Sequence, residues 1–387
     1  MKIVHTSDWH LGKRLAGKNR LNEQREVLSE LAGLVRSVGA DVLLIAGDVF
    51  DTFVPPAEAE ELFYSAMLEI SRFAVPVAIA GNHDDAQRLS APDGLARACG
   101  ILLLGGNQSA LRFSGNYGGK PTDIETGDGF ARITRGGETL NLAYLEYPSA
   151  AKLAELAGEK NYADFVSDEA ERRCGCFTKD GINVFMSHLF VIGSEGQLSD
   201  ERELGGSKLL PLSALPVGKS LYTALGHIHK PFTVSENGAA YYSGSIMQLS
   251  FDDVSAKRVL LIETDGKNIS VTSAPLSKGR RLARIKVGSE QESIAALDGN
   301  ADKYVMLDYE SAIPLSGRAV SDFRKRECYC GINVIPVRGE KTPETQARRG
   351  KSDGQLFEMF YAEKCGGKKP DDSLTEMFLK AVNGEEF

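Results

Sequence analysis

Short, unbroken apolar runs that stop abruptly at small and polar residues recur along the first part of the chain. Ile3-Val4-His5 runs into Thr6-Ser7-Asp8-Trp9-His10, Val42 to Ala46 into Gly47-Asp48, and Val75 to Ala80 into Gly81-Asn82-His83-Asp84. Farther on, Val184-Phe185-Met186 runs into Ser187-His188, and Tyr222 to Leu225 into Gly226-His227-Ile228-His229. Continuous apolar runs suit strands covered on both faces, and in such sheets ligands gather beyond the carboxyl ends of the strands. Five strand ends are thus expected to converge on polar residues. Between them lie helical patterns: Leu21 to Val38, with apolar residues at 27, 28, 31, 34, 35 and 38, and Ala57 to Phe73. This alternation predicts a layered α/β class.

Residues 105 to 139 are rich in glycine and turn residues and read as short hairpins and loops. Val259 to Ile262 and Ile269 to Val271, around the turn at Asp265-Gly266, are expected to close a first domain over residues 1–276. A small β-α-β unit follows within 277–340: strand Ala283 to Val287, helix Ser289 to Ala296, strand Tyr304 to Tyr309, helix Gly317 to Arg326 and strand Ile332 to Val337. Residues 341–387 hold the rest of a polar linker (Gly339 to Ser352) and two short amphipathic helices, Gln355 to Ala362 and Leu374 to Val382. Such helices bury little alone, which makes them a docking element.

A chain of 387 residues allows one large core with smaller appended units. Hydrophobic and charged fractions of 42% and 25% exclude wholesale disorder and fibrous repeats. The N-terminus enters polar residues without an apolar stretch fit for a leader or membrane span, so a cytoplasmic location is expected. The six cysteines, at 99, 174, 176, 328, 330 and 365, include no C-x-x-C, and reduced thiols are expected. A net charge of −8 argues against a protein that grips nucleic acid by itself, because phosphate neutralisation supplies most non-specific affinity. Two basic clusters stand against it, Lys13, Arg14, Lys18 and Arg20, and Lys278, Arg280, Arg281, Arg284 and Lys286, although solvated surface charge is the ordinary reading of any one cluster.

The histidines change the picture most. Of six, five fall just after predicted strands beside Asp, Asn or Gly; His5, inside the first strand, is read as a packing residue. His10, His188, His227 and His229, with Asp8, Asp48 and Asn82, make a donor set of carboxylates, an amide and imidazoles. Two metal ions roughly 4 Å apart need a bridging carboxylate, neutral imidazoles and positions open to water and phosphate. In Asp8-x-His10 and His227-x-His229, an extended backbone would put both donors on one side. Gly47, Gly81 and Gly226 permit tight turns and close approach. With no thiolate in the set, structural zinc is disfavoured, while manganese, iron and catalytic zinc all remain open.

The series Asp8-Trp9-His10, Gly47-Asp48-Val49-Phe50-Asp51, Gly81-Asn82-His83-Asp84, Ser187-His188 and Gly226-His227-Ile228-His229 resembles the five-block signature of the calcineurin-like metallophosphoesterases. The wording of His5 to Gly12, Ala46 to Thr52, Ala224 to His229, and Tyr242-Ser243-Gly244-Ser245 with Leu249-Ser250-Phe251 is similar to the SbcD-type nuclease family, closely through about residue 275 and more weakly beyond. Ile246 departs from the proline that many members carry after Gly-Ser. The resemblance implies a four-layer α/β/β/α sandwich of two mixed sheets, with a small α+β cap domain and a C-terminal helical docking segment. It also implies a first metal on Asp8, His10, Asp48 and His229, a second on Asp48, Asn82, His188 and His227, and manganese as the ion. His83 would stabilise the transition state or protonate the leaving oxygen, with Asp84 orienting it.

The same resemblance implies double-strand exonuclease and single-strand or hairpin endonuclease action in DNA end processing, repair, recombination and replication. It further implies a homodimer and a coiled-coil, SbcC-type ATPase partner. Here Arg280, Arg281, Arg284, Arg324 and Lys325 would meet phosphates or make a solvated face, and Phe357, Met359, Phe360, Tyr361, Met377 and Phe378 would form the docking surface or plain core. The absence of a G-x-x-x-x-G-K-[ST] loop agrees that ATP is handled by another chain. Grip supplied by that partner and by dimerisation answers the charge objection, since linked sites reinforce one another. A phosphatase or cyclic nucleotide phosphodiesterase would need the same metals but no extension such as 277–387; a non-catalytic scaffold would show decayed ligands, and none has decayed.

Overall fold

The computed structural model describes residues 1–105, 110–148, 161–192, 209–235, 239–336, 352–365 and 368–383. A six-stranded sheet has the order Ile269–Pro275, Arg258–Thr264, Lys2–Thr6, Val42–Ala46, Val75–Ile79, Leu102–Leu104. Its last four strands are parallel, Ile3 opposite Val42 and Val42 opposite Val75, whereas Arg258–Thr264 runs antiparallel to its neighbours. An eight-stranded sheet has the order Phe232–Ser235, Ala240–Tyr242, Tyr222–Gly226, Ile182–His188, Glu138–Leu145, Phe130–Arg135, Lys120–Gly127, Leu111–Tyr117. Ala240–Tyr242 through Glu138–Leu145 are parallel and the rest antiparallel.

Alternation along each strand builds the layers. Val42, Leu44 and Ala46 share one core with Leu140, Leu142, Tyr144, Val184, Met186, Tyr222 and Ala224, which lies between the two sheets. Leu43 and Ile45 face the other way, onto Val27, Leu31, Leu62 and Phe63 of helices Leu21–Val38 and Ala57–Ser71. Ala143, Leu145 and Phe185 likewise meet Phe165, Val166 and Ala170 of helix Tyr162–Arg173. The result is the α/β/β/α sandwich expected above, with each fully buried Leu, Ile, Val or Phe contributing roughly 1.5–3 kcal/mol. Helix Leu21–Val38 ends where its apolar spacing ends, at Gly39, whose φ of 65° supplies a left-handed cap.

The hairpins read at residues 105 to 139 are present: Leu111–Tyr117, Lys120–Gly127 and Phe130–Arg135 form an antiparallel meander of six- to eight-residue strands, each pair joined by a two-residue turn. Leu111–Tyr117 keeps no residue buried, so it lacks the apolar run that marks an inner strand. Helix Tyr162–Arg173, led by the Asn161 side chain capping Asp164 N, was not anticipated.

Beyond Leu276, strands Leu282–Val287, Tyr304–Ser311 and Tyr329–Pro336 form a three-stranded sheet, with helices Glu290–Asp298 and Gly317–Arg324 between them in sequence. Helices Asp353–Lys364 and Asp372–Asn383 follow, with Phe357 and Phe378 stacked at 4.2 Å. The linker read at 339–352 lies, save Ser352, outside the described residues. The chain divides into two compact units, one of Met1–Arg284, Leu297–Met306 and Lys325–Gly331, the other of Ile285–Ala296, Leu307–Arg324 and Ile332–Phe387. All six cysteines are free. Among the described residues no helix is long and apolar enough to cross a membrane.

Candidate metal centre

Residues from all five strand ends meet. Asp48 Oδ2 lies 3.4 Å from His10 Nε2 and 3.4 Å from His188 Nε2. On one side of it, His10 Nε2 is 3.1 Å from His229 Nε2, which is 4.0 Å from Asp8 Oδ1. On the other, Asn82 Oδ1 lies 3.0 Å from His188 Nε2 and 2.9 Å from His227 Nδ1. Donor atoms of Asp8, His10 and His229, of Asp8, Asp48 and His188, and of His10, Asp48 and His83 each fall within 4.8 Å of one another.

The backbone does this differently from the extended segments read in the sequence. Asp8, His10 and Asp48 have φ of 53°, 44° and 50°, and His227 has 105°. Two left-handed residues in Asp8-x-His10 break the alternation that an extended segment would give, so the donors converge through turns. Left-handed conformations are costly for non-glycine residues and persist where surrounding bonds over-determine them. Here Asp8 N donates to Gly47 O at 3.0 Å, His10 N to Asp48 O at 3.0 Å and Leu11 N to Val49 O at 2.9 Å, stitching the two loops together. Trp9, fully buried between the donors, packs edge-on against Phe63. Gly81 and Gly226 answer to crowding: a Cβ at 81 would run into Asp48, and one at 226 into Ala46 O and the His188 ring.

The hydrogen bonds fix which atoms can act as donors to a cation. His188 Nδ1 donates to Ala46 O at 2.8 Å, so Nε2 is the atom turned to Asp48 and Asn82. Burial alone would disfavour its charged form, yet the Asp48 carboxylate outweighs burial and lifts its pKa to about 9. Burial together with the charge on His188 pushes His227 down to about 3, and burial with His10 lowers His229 likewise. Burial would raise Asp48, but His188 and His10 pull it far below the usual carboxylate range. The carboxylates thus favour positive charge at His10 and His188, while His227 and His229 are pushed toward the neutral form, in which an imidazole can ligate a cation. Nitrogen and oxygen donors roughly 3 Å apart suit neighbouring ligands of one ion at bond lengths of roughly 2.1 Å. By donor chemistry and spacing, the residues fit a divalent metal pair.

His83 is half-buried at the edge of this set. Its backbone N–H donates to Asp48 Oδ1 at 2.9 Å, and its Nδ1 donates to Asp51 O at 2.9 Å. The structure gives Asp84 a task other than orienting that ring: its carboxylate accepts from Val49 N, Phe50 N and Gly81 N at 3.0, 2.8 and 2.8 Å. Burial and the nearby Asp48 raise its pKa to about 6 despite those three bonds. Asp84 therefore ties the Asp48 loop to the Asn82 loop, and Asp51 turns the histidine.

Asp51 was missed as a participant, although it stands in the block Gly47 to Asp51. It faces His10 Nδ1 at 3.3 Å and Lys13 at 2.8 Å, and although burial would raise its pKa, the neighbouring His10 ring and Lys13 ammonium bring it down to about 2. Ser7 and Ser243 were also missed. Ser7 Oγ donates to Asp8 and lies 2.9 Å from Ser243 Oγ. His5 fulfils its packing role, buried with Nδ1 2.8 Å from Tyr222 Oη. Among the basic residues, Arg280 pairs with Glu327 at 3.0 Å and Arg284 with Asp252, while Arg324 and Lys325 are exposed.

Against known proteins, the family model of the calcineurin-like phosphoesterases matches residues 1–231. The chain belongs to that class. Similar relatives include the SbcD subunit of nuclease SbcCD from Bacillus subtilis (strain 168), 33% identical over 405 aligned positions that span 100% of this chain and 99% of the relative. Proteins of the same name from Rhodobacter capsulatus and Staphylococcus epidermidis are 32% and 30% identical, over 66% and 74% of this chain and 64% and 72% of theirs. Within the class, the chain is a member of the SbcD family.

Proposed function

We propose that this chain is a metal-dependent DNA nuclease subunit, a two-metal phosphodiesterase acting as an exonuclease on duplex ends and an endonuclease on single strands and hairpins. The observation that supports the reading is Asp48 Oδ2, equidistant at 3.4 Å from His10 Nε2 and His188 Nε2, as a carboxylate bridging two ions would be. Asp8, His10, Asp48 and His229 would hold one ion and Asp48, Asn82, His188 and His227 the other, manganese by preference. When bound, such ions supply Lewis-acid polarisation of a phosphodiester and a lowered pKa for water.

The remaining steps belong to side chains. Because Asp51 O accepts the Nδ1 hydrogen of His83, Nε2 is the nitrogen left to exchange a proton with the leaving 3′-oxygen. Asp51 fixes that ring, Asp84 fixes the loop beneath it, and Ala46 O fixes the tautomer of His188. Support for a nuclease over a phosphatase comes from the full-length likeness to the Bacillus subtilis protein, which extends through residues 277–387. The partner we propose is an SbcC-type coiled-coil ATPase that docks on the C-terminal helices, where Met359, Phe360 and Met377 are exposed. A homodimer completes the assembly.

The test is cleavage of end-labelled duplex and hairpin DNA by the purified protein with manganese, beside a small phosphomonoester. DNA cut and phosphomonoester spared is the expected result. Rapid phosphomonoester hydrolysis with DNA intact, even after the ATPase is added, would assign the chain to the phosphatases.

A further inference from the structure

We infer that Gln24, in the first turn of helix Leu21–Val38, is a positioning residue for the metal ligand His10, and that Glu23 beside it ties the same turn to the segment around Arg280 and Tyr304. The inference rests on His10 being a ligand, as proposed above.

Gln24 is fully buried on a helix face otherwise made of Val27, Leu28, Leu31, Ala32 and Val35. A buried carboxamide is unfavourable unless both its ends are bonded, and an apolar residue would serve packing equally well. Both ends are bonded here, and both to the ligand loop. Nε2 donates to His10 O at 2.8 Å, and Oε1 accepts from Gly12 N at 3.0 Å. His10 O accepts also from Lys13 N at 3.0 Å. Gln24 thus spans the turn on which His10 holds its left-handed φ of 44°, directing Nε2 toward His229 and Asp48.

The neighbouring residues secure the turn from its other side. Glu23 accepts from the Arg20 guanidinium at 2.9 Å and from Arg280 N at 2.8 Å. Arg20, 2% exposed, donates also to Gln248 O at 2.6 Å and Arg280 O at 3.3 Å. The Arg280 guanidinium lies 4.5 Å from the centre of the Tyr304 ring. One helical turn therefore grips the His10 loop with Gln24 and the Arg280 segment with Glu23 and Arg20.

The experiment is calorimetric titration of full-length wild-type, Gln24→Glu, Gln24→Met and Glu23→Gln proteins with Mn2+ alone, with metal-free melting temperature recorded beside it. Gln24→Glu keeps shape and the acceptor for Gly12 but sets an oxygen against His10 O. Both Gln24 variants should bind one Mn2+ equivalent roughly tenfold to a hundredfold more weakly, the scale of lost outer-sphere support. The other equivalent should change little, and Glu23→Gln should weaken the same equivalent by a smaller factor. Wild-type affinity at both equivalents in a folded Gln24 variant would overturn the inference, as would equal weakening of both. Should the Gln24 variants fail to fold, unchanged binding by Glu23→Gln would overturn the link to Arg280. A wild-type protein that binds no Mn2+ would instead refute the metal-site reading itself.

Discussion

His188 donates its Nδ1 hydrogen to Ala46 O at 2.8 Å, so the last residue of the strand that leads to Asp48 decides which nitrogen of His188 faces the site. Since Nε2 is then the donor atom shared with Asp48 and Asn82, His188→Gln removes it while leaving an amide able to bond Ala46 O. One of two Mn2+ equivalents should be lost on titration and DNA cleavage should fall at least about hundredfold. Unchanged stoichiometry would show that His188 is not a ligand.

His83 separates chemistry from metal binding. With Nδ1 committed to Asp51 O, His83→Gln should retain both Mn2+ equivalents yet lower kcat by roughly 10²–10⁴, the usual worth of a positioned acid or base, with KM little changed. Loss of a metal equivalent in this variant would place His83 among the ligands instead.

Two glycines make a contrast that reads crowding directly. Gly81→Ala would drive a Cβ into Asp48, at a cost of roughly 1–3 kcal/mol and with weakened metal binding. Gly33, in the middle of helix Leu21–Val38, has nothing within 4 Å of such a Cβ, and Gly33→Ala should stabilise by roughly 0.5–1 kcal/mol. Chemical denaturation of both variants checks the pair.

Much of the centre was legible because buried parallel strands write themselves as apolar runs, and the residues just after them, Asp8, Asp48, Asn82, His188 and His227, had no packing reason to be polar. The α/β/β/α layering followed from the family resemblance those blocks carry. What stayed hidden depends on tertiary detail. Asp51 and Gln24 look like any polar residue of a loop or a helix, and only their partners at His83, His10 and Gly12 mark them. The left-handed backbone at Asp8 and His10 is imposed by bonds to the loop at Gly47 to Val49, far away in sequence, which no local spacing records. Leu111–Tyr117 lacked the apolar signature of a strand because it is an edge strand bonded to Lys120–Gly127 alone, with Phe113 and Tyr117 only half-buried.

His5 gives a pH dependence of stability apart from the ligands. Burial beneath the second sheet lowers its pKa from 6.5 to about 3. The unfolded chain therefore binds the proton more readily, and the stability gained by keeping His5 neutral is complete above pH 6.5 and lost as pH falls toward 3. The slope is at most roughly 1.4 kcal/mol per pH unit. The stability advantage of wild type over His5→Gln, from urea denaturation, should shrink between pH 6.5 and 4; a constant difference would contradict this.

The central claim, a metal pair bridged by Asp48, is tested most directly by anomalous diffraction at the manganese edge from crystals of the Mn2+-loaded protein. The account predicts two peaks roughly 3.5–4 Å apart, with Asp48 between them, one beside Asp8, His10 and His229 and the other beside Asn82, His188 and His227. A single peak, or two peaks that Asp48 does not join, would contradict it.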